Sequence, residues 1–430
     1  MKNTIPCGSW ARATQRITFA LAIGWVLLHS LATLASGYEA AQTLQASKVL
    51  PAELRSGAHF RVDDKVANDG YVNTYHLTSK FGPFTAVSTA MLAKRIGEIN
   101  ALVVMEQVKG TTEFTNAVKK SGSGVVSSAK NLVTHPVESL SGAASGLGAA
   151  FRTASASLTG PKRSDAEESR VKDMIGFTRM KRDYAYHFGV DVYSDNKVLQ
   201  DRLDEITWAG YAGSMTLSAA LAAVPGGAGA AVSVVTTNRF LNDLFRTTAP
   251  ADLRRINGEK LKAMDVHADI AEAYLNNGVF SPREQTLLVH ALDEMPGVGN
   301  RAAFIRVAIA TPNRNMAFFR ERQAEMYAGY HKTVVALSSF VSLGDLAAAR
   351  TGTGAVVFCV PLDYLVWTEP MATFITAANK VIDDAGAKEK QLWVTGALSA
   401  EARKAMESRG WQVHEHSEAS LFKWTEGNPK

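Results

Sequence analysis

From Gly354 to the C-terminus the hydrophobic period of the chain alternates between strand-like and helical, and this alternation restricts the fold more than any other feature. Ala355 to Val360 is a continuous apolar run rich in β-branched residues. Glu369 to Asp384 has helical spacing, Gln391 to Thr395 is strand-like, Ala400 to Arg409 is helical and closed by Gly410, and Trp411 to His416 is strand-like again. Strand, helix, strand, helix, strand with short links implies parallel strands joined by crossover helices. In such a βαβαβ unit a small ligand sits beyond the carboxyl ends of the strands, here near Asp363, Thr368 and Gly396.

The rest of the chain reads differently. His59 to Val62, Tyr71 to Thr78 and Phe84 to Val87 alternate as antiparallel strands, and a helix with Leu92, Ile96, Ile99, Leu102 and Val103 on one stripe follows from Thr89 to about Val108. Thr111 to Pro161 is rich in Gly, Ala and Ser and locally basic, with two amphipathic segments split at His135-Pro136. From Asp165 to Leu343 the pattern is helical. One helix opens after Ser194, and the uncharged stretch from Ile206 to Asn238 is broken by Pro225-Gly226-Gly227 into what reads as a buried hairpin. Pro250 opens a helix that Gly258 closes, another covers Glu259 to Leu275, and Ser281-Pro282-Arg283-Glu284 is a capping box. The expectation is a predominantly helical α+β protein. Its parts are a β-hairpin and helix unit over 37–110, a Gly/Ala/Ser-rich basic segment over 111–162, a helical domain over 163–345, and an α/β unit over 346–430.

The first residues carry an address. Lys2, Arg12 and Arg16 precede an apolar run from Ile17 to Leu34, and Ala35, Ser36 and Gly37 follow as small residues. This is the order of an export signal, with cleavage after Ala35 or Ser36; the alternative is an uncleaved anchor, since the run approaches the about 20 residues that span a bilayer. Cys7 leaves with the signal, so Cys359 has no partner for an intramolecular disulfide and reads as a small buried hydrophobe. The formal net charge of +5 falls by three to +2 with the signal removed, too little for a nucleic-acid binder.

No catalytic or cofactor motif withstands its context. Gly297-Val298-Gly299-Asn300-Arg301-Ala302 follows a helix rather than a strand, so it reads as a turn and not a dinucleotide loop, and Thr351-Gly352-Thr353-Gly354 lacks the lysine of a phosphate loop. Asp63, Asp64 and Asp69 have no calcium-loop spacing and suit a hairpin turn. His414 and His416 fall on one side of the last strand, without a third metal ligand. Glu321 and Glu325 share a helix face with His331 further along; the interleaved Arg320 and Arg322 make a solvated, salt-bridged face the expected reading over an acid-base pair.

The sequence therefore points to an exported, non-enzymatic cell-envelope protein without cofactor or metal, touching an anionic membrane surface or a protein partner through residues 114–158. The alternatives are an extracytoplasmic hydrolase whose site is assembled from dispersed residues, and a pore-former using 206–238.

Overall fold

The computed structural model describes residues 37–121, 165–224, 239–343 and 346–422. The stretch read as an export signal and the greater part of the basic stretch, from 122 on, lie outside the described residues. The fold is the expected helix-dominated α+β arrangement, with two main sheets.

The first sheet contains β1 (Thr43–Gln45), β2 (Ser56–Gly57), β3 (Phe60–Val62), β4 (Lys65–Asn68), β5 (Asn73–Ser79) and β6 (Gly82–Val87), with the single-turn helices α1 (Ala46–Val49) and α2 (Ala52–Arg55) at its edge. β5 pairs antiparallel with β6 on one side and with β4 and β3 in turn on the other. Alternate residues Tyr75 and Leu77 face inward, and α3 (Thr89–Lys109) covers them with Leu92, Ile96 and Ile99. Arg95 and Glu98, off the apolar stripe, are buried as well. Arg95 Nη1 donates to Glu98 Oε2 at 2.6 Å, and Ser194 Oγ and Asn196 Nδ2 donate to the same carboxylate at 2.5 and 2.9 Å. The polar side of α3 thus holds the loop that precedes the helix beginning at Lys197, and Asn196, not Ser194, caps that helix by accepting from Leu199 N.

The second half of α3 joins a helical cluster with α4 (Thr112–Ser121), α5 (Asp165–His187), α6 (Lys197–Gly213) and α7 (Leu217–Ala222). Phe114 and Ala117 of α4 are buried in this cluster, so the described start of the basic stretch packs on the protein's own core. The apolar segment breaks at Ser214, whose φ is +62°, before Pro225 is reached, and Ile206, Ala209, Met215, Leu217 and Ala220 are buried. Among the described residues no helix is long and apolar enough to cross a membrane.

Next come α8 (Arg239–Thr247), α9 (Pro250–Ala263), α10 (Ala268–Leu275), α11 (Pro282–Asp293), α12 (Arg301–Ile309) and α13 (Arg314–Thr333). Gly258 does not end α9: the helix runs through it to Ala263, and the chain turns at Asp265, where φ is +59°, because one interior glycine costs only about 1 kcal/mol and the stripe of Leu253, Asn257 and Leu261 is buried on either side of it in sequence. The capping box is formed, with Ser281 Oγ accepting from Glu284 N and Glu284 returning to Ser281 N. Gly297 to Ala302 is the expected helix-to-helix connection, and Gly299 also bridges to Ser339.

The helical expectation up to Leu343 is corrected at its end. β7 (Leu337–Leu343) and β8 (Leu346–Thr351) form an antiparallel hairpin that extends the C-terminal sheet. That sheet has the order β13-β11-β9-β8-β7, and β9 (Ala355–Val360), β11 (Glu389–Val394) and β13 (Trp411–His414) are parallel as expected. α14 (Glu369–Asp384) and α15 (Ala400–Glu407) cover one face, and α13 covers the other. A short parallel pair, β10 (Tyr364–Leu365) with β12 (Ala397–Leu398), lies past the carboxyl ends of β9 and β11, and α16 (Glu418–Leu421) closes the described chain.

Candidate ligand cavity

At the carboxyl ends of β9 and β11 the first sheet, α13 and the α14 face of the second sheet leave a cavity of about 900 Å³. Its inner wall is apolar, formed by Phe358, Val360, Met371, Phe374, Ile375, Leu392 and Trp411 among others. Its polar groups come from distant parts of the chain: Lys48, Asp69, Asn73, Ser88, Thr89, Arg322, Asp363, Thr395, His416 and Glu418. Volume and lining fall within the range of small-molecule sites, which are mostly apolar with a few placed polar groups.

Asp363 holds this junction together. Its Oδ2 accepts from Asn73 N at 2.8 Å and its Oδ1 from Thr89 N at 3.0 Å, so one carboxylate ties β5 and the start of α3 to the end of β9. Those bonds depend on local features. Ser88 has φ +86° and ψ 152°, a backbone that costs a non-glycine residue about 1–3 kcal/mol, and it turns the first amides of α3 toward Asp363 while its Oγ caps Met91 N. Gly396 sits directly on the Asp363 carbonyl, where a side chain would overlap it. Behind the carboxylate, Asn68 Nδ2 donates to Asn73 Oδ1, Asn73 Nδ2 donates to Tyr75 Oη, and Tyr75 Oη meets Thr89 Oγ1 at 2.8 Å. Burial pushes the Asp363 carboxyl up to about 6 even though the backbone amides of Asn73 and Thr89 pull it down. Burial, with the charge of Asp363 behind it, pushes the Tyr75 phenol to about 12.

Of the positions read from topology, Asp363 and Gly396 line the cavity, whereas Thr368 caps α14 by accepting from Met371 N. The two histidines separate. β13 ends at His414, whose ring stacks on Trp393 at 3.9 Å, while His416, at φ +50°, is exposed at the cavity and donates its amide to Gly396 O. Asp69 spends Oδ1 on the amides of Tyr71 and Val72, as a turn residue does, and Asp64 accepts from Ser47 N. No three His, Cys, Asp or Glu side chains among the described residues are placed to hold a metal. Cys359 is fully buried, and burial lifts its thiol well above the ordinary value.

The helix carrying Glu321 and Glu325 departs from expectation. Arg320, Glu321, Arg322, Gln323 and Glu325 are all buried, because α13 runs through the centre of the molecule and its charges meet partners from elsewhere. Arg322 Nη2 donates to Glu418 Oε1 at 2.6 Å, and the guanidinium lies 4.0 Å over the Phe422 ring. Burial raises the Glu321 carboxyl well above its ordinary range, and the charge and hydrogen bond of Glu325 add to the rise. Burial also raises Glu325, against the pull of Arg322. Both shifts run toward the protonated form, and more strongly for Glu321, as expected where two carboxyls are buried side by side. His331 is not with it: its Nδ1 accepts from Leu337 N.

Asn73, Ser88, Thr89, Arg322 and Glu418 carry no motif that would have marked them. The turn signal at Asn68-Asp69-Gly70 and the helix start after Ser88 are their traces in the sequence. No family model matches the chain, and no curated protein or solved structure matches it.

Proposed function

We propose that this chain is an exported cell-envelope binding protein that holds a small apolar or amphipathic molecule in the cavity beyond β9 and β11. The observation that carries the reading is the cavity itself: about 900 Å³, walled by apolar side chains and rimmed by polar groups drawn from three parts of the chain. Exchanging water for ligand along such walls contributes about 25 cal/mol per Å² of apolar surface. Support for the envelope setting is the order of charge, apolar run and small residues from Lys2 to Gly37. The membrane-surface contact remains part of the proposal for 122–158, since Phe114 and Ala117 are already occupied in the core.

The test is titration of the full chain with an apolar fluorophore such as N-phenyl-1-naphthylamine. Saturable binding at one site is expected, and Leu346→Trp, which puts a larger ring on the cavity wall, lowers its affinity at least fivefold. Binding that does not saturate, or that ignores this substitution, would remove the cavity reading.

A hydrolase is the second reading, and one observation favours it: Asp363, His416 and Glu418 line the same cavity. Against it, both Asp363 oxygens are engaged by backbone amides and Glu418 is paired with Arg322. Turnover of p-nitrophenyl esters that His416→Ala abolishes would make this the better account.

A further inference from the structure

The polar rim of the cavity is unequal in charge. Glu418 is neutralised by Arg322 at 2.6 Å, Asp69 is exposed and committed to its own turn, and Lys48 and His416 are exposed at the edge. Asp363 differs from all of these. It lies at the base of the rim, next to Phe358, Val360 and Leu362, and among the described residues no ion pair reaches it. Its two backbone donors fix its position and neutralise part of its charge. The Thr89 hydroxyl also hydrogen-bonds to the carboxylate, so three neutral donors are spent on it, and a carboxylate with two oxygens and about four acceptor positions keeps room for one more partner. A half-buried carboxylate among apolar side chains and without a cation is favourably met by one. A metal ion does not answer that need, since hard cations take several oxygen ligands and no such group is assembled among the described residues.

We propose that the ligand is an amphiphile with a cationic head: its hydrocarbon part fills the apolar cleft between β9, β11 and α14, and its ammonium group seats on Asp363. The proposal rests on the cavity reading above and adds the charge of the ligand to it. The groups around Asp363 are Tyr75 behind it on β5, Thr89 on α3, Glu418 and His416 on the closing segment, and Asp69, Lys48 and Arg322 at the rim.

The experiment is competition against N-phenyl-1-naphthylamine on the full chain by three probes of equal length: dodecylamine, dodecanol and dodecanoate. At pH 7.5 dodecylamine is expected to compete at least tenfold better than dodecanol, and dodecanoate worse than either. On lowering the pH to 5 the preference for amine over alcohol shrinks at least threefold as Asp363 takes a proton, while dodecanol affinity stays level. Asp363→Asn abolishes the preference for amine over alcohol, read as a ratio within the variant because the loss of one amide tie also alters the cavity; should that variant not fold, the wild-type pH series decides alone. Equal competition by amine and alcohol at pH 7.5, or a preference that does not change down to pH 5, overturns the cationic head and leaves the cavity reading intact. Failure of all three probes and the fluorophore removes the cavity reading itself.

Discussion

Alternate residues of β9 point to two unlike environments. Val357 and Cys359 meet α13 in a closed core, whereas Val356, Phe358 and Val360 face α14, and there the cavity opens. The α13 face is fixed by polar tips that reach into the sheet. Tyr327 Oη donates to Ala347 O at 2.8 Å, Gln323 Nε2 to Cys359 O at 3.1 Å, and Tyr330 Oη to Gln391 Oε1 at 2.9 Å. These bonds set the helix at one height over the strands, and Ala347 and Ala349 leave room for Phe304, Tyr327 and Phe340 to meet edge to face. α14 is tied differently. Trp411 Nε1 donates to Asn379 Oδ1 in its second half, while its first half, Met371 to Ile375, borders the cavity through apolar contacts alone. A helix pinned by hydrogen bonds along its length closes its face of the sheet; one pinned toward a single end leaves space at the other.

The largest effect expected from this contrast is at Gly329. α16 crosses α13 there so closely that a methyl group would overlap the Leu421 carbonyl. Gly329→Ala is expected to cost about 3 kcal/mol, or to detach α16 and with it the Arg322–Glu418 pair, because a packed helix crossing cannot yield by that much without moving backbone. Urea unfolding measures the loss. A change below about 0.5 kcal/mol would mean that the crossing is looser than drawn and that the closed face is not closed.

A pair of neighbouring substitutions sharpens the comparison further. Ala347 is fully buried on the α13 face, and Leu346, next to it on β8, lines the cavity. Ala347→Val overpacks a filled core and is expected to cost about 1–3 kcal/mol, whereas Leu346→Phe grows into empty space and is expected to stay within about 0.5 kcal/mol. Thermal unfolding of the two variants checks the difference. Equal destabilisation would show that the faces are equally dense.

The sequence made one of these faces far more legible than the other. β9, α14, β11, α15 and β13 stand within a residue or two of where the hydrophobic period places them, because short links and clear stops leave one topology. Asp363 and Gly396 follow from that topology alone. The hairpin before it was not legible: Leu346-Ala347-Ala348-Ala349-Arg350 has the composition of a helix, and it is a strand because small residues are needed where Tyr327 and Phe340 approach. α13 misleads for a related reason. Interleaved arginines and glutamates ordinarily face water, but Arg322 finds Glu418, a partner 96 residues away that no local pattern reveals. The cavity joins residues from Lys48 to Glu418, so only the closed fold brings it together.

The smallest effect concerns an acid pair on α13, on the side turned toward α10 and α11. Glu321 and Glu325 are buried side by side on α13, near Arg322 and Arg283 and the further acid Glu284, with the Tyr274 phenol close by. With both carboxyls pushed up by burial, the folded pair holds a proton to higher pH than the unfolded chain, which releases it near the ordinary carboxyl value. Native protein therefore binds more protons than unfolded protein above that value, and stability falls as pH rises through the raised one. Glu321→Gln supplies the shared hydrogen permanently, with the amide donating to Glu325 where the protonated acid did. The variant is expected to match wild type at pH 4 and to melt about 2 °C higher at pH 8, followed by scanning calorimetry across that range. No comparable pH-dependent gain is expected for Leu346→Phe, whose wall of the cavity carries no shared proton. If the advantage of Glu321→Gln were the same at both pH values, the pair would not share a proton, and the closed face would owe its order to packing and to the ties from Gln323, Tyr327 and Tyr330 alone.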